Sequence, residues 1–257
     1  MLIGDPNVGM MGSGGSSVNA VHLNGGYGNF VSPAVYGDYT WTDSPTGICS
    51  FWFRHGTDNA GIDERIFTSN HMQIYKVGST GILSVYIENL ASNHAYYFKS
   101  TSFPSDGTVW HHCAISWDTN HSAGNKLGSL VIDGANVFSL NQDSSSAFDV
   151  GWSTGTPKQV GSINSRDGKY DYGFYGDLAE FYLGNGTYLD FTQASNLQKF
   201  RTATGHPANL GSNGSAPTGT QPLIYLKDPA ATYTNNSGSI GNFTQTSAAI
   251  TDASSTP

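Results

Sequence analysis

Two runs decide the fold: Trp110-His111-His112-Cys113-Ala114-Ile115-Ser116-Trp117-Asp118 and, after a polar loop, Leu130-Val131-Ile132-Asp133-Gly134. Each is short, alternates its side chains and ends on polar or turn residues. That is the pattern of neighbouring antiparallel strands closed by an Asp-Gly turn. With a period of two, His111 and His112 fall on opposite faces of their strand.

The composition agrees with that start. Charged residues are 12% of the 257, glycines number 32, and Tyr (14), Phe (13) and Trp (5) outnumber what a helical surface would carry. Aromatic side chains suit broad pleated surfaces, while the helix formers Lys, Glu and Arg are scarce, so the chain is predicted to be all-β with one main domain. A net charge of -8 and a pI near 5.3 argue against nucleic acid as a partner, because phosphate backbones need clustered Lys and Arg. No apolar run approaches the roughly 20 residues of a membrane helix. No Lys or Arg precedes Arg54, so the positive region of a secretory signal is missing and a cytoplasmic product is expected. Cys49 and Cys113 lie inside apolar strand patterns and read as buried free thiols.

Residues 1–17, rich in Gly, Met and Ser, read as an N-terminal arm. Val18 to Asn24 and Gly28 to Ser32 suggest a hairpin turned at Gly25-Gly26. Ile48 to Arg54 is the strongest core strand, with Arg65 to Ser69 its successor. Met72–Val77, Ile82–Glu88 and Ala95–Lys99 continue a meander at sandwich spacing, Gln159–Ile163 begins a return to the sheet, and Phe174–Leu183 is the last long strand. Thr192 to Phe200 is predicted to be a short helix near 192–200, capped by Thr192, with Ala194, Leu197 and Phe200 on one face. Beyond it, five of the ten prolines fall between Pro207 and Pro257. Residues 204–257 therefore read as a Pro/Gly/Ser-rich extension. Its apolar runs Leu223–Leu226 and Ser237–Thr244 could add strands to the same sandwich or to a neighbour's.

The aromatic-His-His hairpin, the Gly176-Asp177-Leu178-Ala179-Glu180-Phe181-Tyr182 run and the short helix after it resemble laminin-G-like domains, over residues 18–203. The fold this resemblance implies is a two-sheet antiparallel jelly-roll sandwich of the concanavalin-A-like kind, with extended terminal arms. The tail, Pro207 to Gly214, Pro217 to Gly219 and Pro222 to Leu226, is similar to the C-termini of laminin-G-like proteins of tailed bacteriophages.

Motifs for chemistry are weak. Gly151-Trp152-Ser153-Thr154-Gly155 matches G-x-S-x-G, but Thr156 and Pro157 leave no helix to complete a nucleophile elbow. Glycosidases of this fold place two carboxylates about 5–10 Å apart. Here Glu88, Asp177 and Glu180 form no E-x-D-x-x-E triplet, and strict alternation puts Asp177 and Glu180 on opposite faces. The eight histidines show no zinc spacing. Calcium, which many laminin-G-like and pentraxin-like relatives bind at a sheet rim, suits hard oxygen ligands, and its candidates are Asp58, Asn59, Asp63 and Glu64. A second acidic group is Asp167, Asp171 and Asp177. The sequence does not require calcium, and Ala179 stands where the family's closing strand often has Asp. For a sugar, which needs aromatic faces and planar polar groups, the loop carrying Asn164, Arg166, Asp167, Tyr170 and Tyr172 has the right composition.

The resemblance of the tail, which the low charge and the Gly/Ser-rich arms suit, implies a non-enzymatic virion structural protein of a tailed bacteriophage, a capsid decoration or tail/fibre component. It would be made in the host cytoplasm without a signal peptide. Its expected partners are other virion proteins through the terminal arms, further copies in a homo-oligomer, and cell-surface glycan bound weakly. The alternatives are a lectin-like carbohydrate-binding module for host attachment and a glycan-cleaving enzyme.

Overall fold

A computed structural model describes residues 18–24, 35–56, 61–143, 146–152, 158–161, 172–245 and 250–257. Among these lie seventeen strands: β1 (Val21–Asn24), β2 (Val35–Gly37), β3 (Thr46–His55), β4 (Glu64–Thr68), β5 (Met72–Val77), β6 (Ile82–Glu88), β7 (Ala95–Ser100), β8 (His111–Asp118), β9 (Leu127–Ile132), β10 (Ala135–Asn136), β11 (Phe138–Asp143), β12 (Lys158–Val160), β13 (Tyr172–Gly173), β14 (Tyr175–Asn185), β15 (Ile224–Leu226), β16 (Thr244–Gln245) and β17 (Thr251–Asp252). One α-helical turn, α1, covers Ala194–Leu197. The strands form two sheets. The first runs β10-β9-β8-β3-β14-β1-β17, with β15 also beside β14, and the second runs β11-β7-β6-β5-β4-β12-β2-β16, with β13 beside β4. Among the described residues only the β13–β4 pair is parallel. The result is the all-β, two-sheet sandwich that the sequence predicts.

The hairpin that opens the sequence reading is present: β8 and β9 pair antiparallel from Cys113↔Ile132 to Asp118↔Leu127. Asp133 (φ 51°) and Gly134 (φ 88°) then turn the chain into β10, the pair of positive φ angles a tight two-residue hairpin needs. Cys113, Ile115 and Trp117 face the space between the sheets, where they meet Cys49, Phe51 and Phe53 of β3 and Phe67 of β4. Phe181 stacks on both Phe51 and Phe67 at 6.0 Å, joining the sheets through aromatic contact. Gly47 is the one residue that fits under Trp117: a Cβ there would lie 2.1 Å from the indole. Cys49 and Cys113 are buried free thiols, as expected, and burial raises the pKa of both.

Three expectations are met to different degrees. Of the hairpin expected over residues 18–32, the turn and second strand lie outside the described residues; its first strand is present as β1, which has β14 and β17 on its two edges at Val21 and His22. The strand expected at Arg65–Ser69 as the successor of β3 is present as β4, and it lies in the other sheet, which is how a sandwich separates consecutive strands. The helix is shorter than 192–200 and its N-cap is Gln193, without a side-chain bond. Thr192 cannot cap it because its hydroxyl donates backwards to Asp190 at 2.6 Å.

β3 is buried on both faces. Its inner face meets the second sheet, and over its outer face Ile48 joins Ala114, Val131 and Tyr182 in a second apolar cluster with Phe191, Phe200, Leu210 and Tyr225. The chain after β14 thus lies over the outer face of the first sheet. β15, β16 and β17 pair with β14, β2 and β1 of this same chain.

At one end of the sandwich a fully buried carboxylate ties the sheets together. Glu64 of β4 accepts from Lys76 Nζ (3.3 Å) in its own sheet, and from His55 Nε2 (3.0 Å) and the Tyr175 backbone N–H (3.0 Å) in the other. Removing one member of such a network strands the other charges in a dry interior. Glu64→Ala is therefore expected to lower stability by about 3–5 kcal/mol. Urea denaturation checks this, and a loss under about 1 kcal/mol would contradict it.

Candidate functional site

The outer face of the second sheet carries a continuous array of polar and aromatic side chains. It exists because β5, β6 and β7 alternate: Met72, Ile74, Leu83, Val85, Ile87, Tyr96 and Phe98 point into the core. The intervening positions, Gln73, Tyr75, Ser84, Tyr86, Glu88, Tyr97 and Lys99, must then point outward. The register sets Tyr75 opposite Ser84 and Tyr86 opposite Tyr97, so three tyrosines occupy adjacent strands. Arg65, on β4 opposite Tyr75, extends the row.

These groups hold one another in place. The Arg65 guanidinium lies 4.0 Å from the Tyr75 ring centroid and donates to Gln73 Oε1 at 2.8 Å. Tyr97 OH is 3.1 Å from Ser84 Oγ, and its ring meets Tyr86 edge-on at 6.0 Å. Tyr86 OH donates to Glu88, with His71 Nδ1 at 3.7 Å from the same carboxylate. Burial and the neighbouring Tyr97 push Tyr75 up to about 12, so its hydroxyl stays protonated and can donate. The tyrosine rings and Lys99 are partly exposed. Locked rings beside planar hydrogen-bonding groups can stack on the C–H face of a sugar and bind its hydroxyls.

Of the sugar-binding residues expected from sequence, Asn164, Arg166, Asp167 and Tyr170 lie outside the described residues. Tyr172 opens β13, its backbone beside Glu64 of β4. Of the calcium candidates, Asp58 and Asn59 lie outside the described residues. Asp63 accepts the Gly78 backbone N–H at 3.0 Å, and Glu64 is in the buried network, its oxygens turned away from solvent. Among the described residues no group of three or more His, Cys, Asp or Glu is arranged to hold a metal ion. The platform itself was missed in the sequence. Its signal is the alternation Gln73-x-Tyr75, Ser84-x-Tyr86-x-Glu88 and Tyr97-x-Lys99, read there only for the apolar half of each strand.

Asp177 and Glu180 do not face opposite ways. The register of β14 against β3 shifts between Ala179 and Tyr182, with Glu180 at φ 52°, a conformation costing about 1–3 kcal/mol in a non-glycine residue. The extra residue brings both acids to the outer face of the first sheet. There Asp177 meets His22 and Arg54, while Glu180 accepts from Tyr225 OH at 2.5 Å. Burial pushes the Glu180 carboxyl up to about 7 against the opposing pull of that hydrogen bond.

The two hairpin histidines divide as the alternation requires. His111 stays at the sheet's end between Asp133 (2.5 Å) and Asp106 (3.3 Å), and the Asp133 hydrogen bond raises its pKa. His112 is fully buried, with Nε2 2.9 Å from Ser50 Oγ, and burial holds it down to about 3.

The sandwich is similar in structure to a heptameric SAP-like pentraxin from Limulus polyphemus, at 15% identity and a TM-score of 0.50 over 75% of this chain and 86% of that one. It is also similar to the LG1-3 region of the laminin alpha2 chain (13% identity, TM-score 0.47, 66% of this chain and 32% of that one). For domains LG4-5 of the mouse laminin alpha1 chain the values are 14%, 0.48, 70% and 45%. No family model matches the sequence, and no curated protein does. The likeness to the pentraxin is one of fold, a two-sheet antiparallel jelly-roll sandwich.

His112 supplies a pH test. A histidine in the unfolded chain titrates near 6.5, so at lower pH the unfolded state binds a proton that folded His112 refuses. Stability is expected to fall as pH drops from about 6.5 toward 3, the group contributing up to about 1.4 kcal/mol per pH unit. Urea titrations between pH 7 and 4 should show a shallower acid slope in His112→Gln; an unchanged slope would remove His112 as the cause.

Proposed function

We propose that this protein is a non-catalytic carbohydrate-recognition module whose ligand lies across β4 to β7. The observation that carries the reading is the row of Tyr75, Tyr86 and Tyr97 on adjacent strands, flanked by Arg65, Gln73, Glu88 and Lys99. Ring faces supply the apolar half of sugar recognition. The tyrosine hydroxyls and Lys99, which are partly exposed, supply the hydrogen bonds, while the buried Arg65, Gln73 and Glu88 hold the rings in place. The absence of a reaction is part of the proposal. Glycoside hydrolysis needs a carboxylate pair, and the outward positions of this face present one acid among the described residues, Glu88, already bonded to Tyr86.

A glycan array followed by calorimetry tests this. Tyr86→Ala and Tyr75→Ala are each expected to weaken binding of the selected glycan at least tenfold, about 1.4 kcal/mol, with the melting temperature of Tyr86→Ala within a few degrees of the parent. Binding unaffected by either substitution, no binding across the array, or cleavage of a glycan that Glu88→Gln abolishes, would overturn the reading.

The biological setting we propose is the one the tail sequence implies: a homo-oligomeric component of a tailed-bacteriophage particle, on the capsid, tail or fibre, presenting the platform to cell-surface glycan. Its support is the resemblance of residues 207–226 to such proteins. Mass spectrometry of purified particles is expected to find the chain in stoichiometric amount, and sedimentation is expected to show a defined oligomer of the isolated protein.

A further inference from the structure

At the opposite face of the molecule, the outer side of the first sheet, a second polar corner is built around Arg54. Its guanidinium is fixed from below by Asp177, which accepts from Nε at 2.7 Å and also from His22 Nδ1 at 2.7 Å. It lies 5.6 Å from the Trp110 ring centroid. The remaining donors point to the segment after β17. Arg54 Nη1 donates to Ser255 Oγ and Nη2 to Ser254 Oγ, both at 2.8 Å, and Trp110 Nε1 donates to Ser255 Oγ at 3.1 Å. The floor continues into a cleft of about 390 Å³ lined by His22, His55, Tyr175, Asp177, Asp252 and Ser254 among others.

The two serines are therefore adjacent hydroxyl groups held by a guanidinium and an indole N–H beside an aromatic face. That is the hydrogen-bonding pattern of a pair of neighbouring hydroxyls on a neutral sugar. An anion is not the match, because Asp177 already neutralises Arg54. A hydroxyl pair can accept from Arg54 and Trp110 and still donate to Asp252 or Asp177, both in the cleft wall. The occupant is also lightly held. β17 pairs with β1 over two residues, Val21↔Asp252 and His22↔Thr251, supplemented by Ala253 N–H to Ala20 O at 2.9 Å and Ala230 N–H to Asp252 Oδ1 at 2.7 Å. Residues 251–257 are mostly exposed.

We infer that the Arg54–Asp177–Trp110 corner is a second binding site, for a neutral polyol, in which Ser254 and Ser255 stand where two ligand hydroxyls would sit. Ligand and segment compete for the same donors. Binding to the intact chain is thus weaker than the site allows by the cost of displacing the segment.

The test measures a panel of neutral methyl glycosides by calorimetry and ligand-observed NMR on four proteins: the intact chain, Ser254→Ala/Ser255→Ala, the same double variant with Arg54→Ala, and a deletion of residues 251–257. The double serine variant retains β17 and the Asp252 bond to Ala230, so it decides the matter even if the deletion fails to fold. At least one glycoside is expected to bind it tenfold or more tighter than the intact chain, and Arg54→Ala is expected to abolish the gain. Repeating the comparison with Tyr86→Ala present in every protein removes the platform's own share of glycoside binding, so that the gain and its loss report the corner alone. No gain for any glycoside, or a gain that survives Arg54→Ala, overturns the inference.

Discussion

The carboxylate of Glu64 is the constraint on which the rest of the sandwich depends. It is fully buried and it takes donors from both sheets: Lys76 from one, His55 and the Tyr175 N–H from the other. Apolar packing alone tolerates small slides between sheets, because the hydrophobic effect is non-directional. A buried ion with three directional partners does not, since any displacement unpairs a charge in a medium that cannot resolvate it. The tie also fixes β3 against β14 at the end of the sandwich where Arg54, Asp177 and His22 converge, and fixes β4 where β13 joins it. Both candidate ligand sites are therefore positioned from one interior point.

The two outer faces have separate fates, and the chain after β14 decides which. Tyr225, Leu210 and Phe200 cover the middle of the first sheet and convert its outer face into a second apolar layer. Glu180 is drawn into that layer. Its positive φ is maintained by β15, whose Tyr225 hydroxyl it accepts, and by the shift in register that lets β14 serve β3, β1 and β15 together. The second sheet has no such apolar cover among the described residues, so its outward positions keep tyrosines, arginine and amides. Those side chains are pinned by contacts with one another, which removes much of the rotamer entropy that binding would otherwise have to overcome.

Much of the fold was legible in the sequence because sandwich strands announce themselves by period-two alternation, and the run from Met72 to Lys99 does so cleanly. The site was only half legible. The outward tyrosines are visible in the same alternation. Their being side by side depends on the register Tyr86↔Tyr97 and Tyr75↔Ser84, which turn geometry and core packing set together. The opposite-face reading of Asp177 and Glu180 failed because a single inserted residue reverses the alternation and leaves no mark in composition. The described partners of β1 were illegible for a related reason: they are long-range, more than 150 residues away in β14 and more than 220 away in β17.

By itself, then, the sequence determined the fold class, the Trp110–Gly134 hairpin with its Asp-Gly turn, the division of His111 from His112, and the burial of both cysteines. All of these follow from local periodicity and from the transfer of apolar side chains out of water. Only the tertiary structure decided that residues 224–252 return strands to both sheets, that Glu64 is an interior tie, and that the aromatic platform and the serine-filled corner lie on opposite faces. Those outcomes rest on contacts between residues far apart in the chain. Their energies come from register, desolvation and hydrogen-bond direction, and no local pattern encodes them.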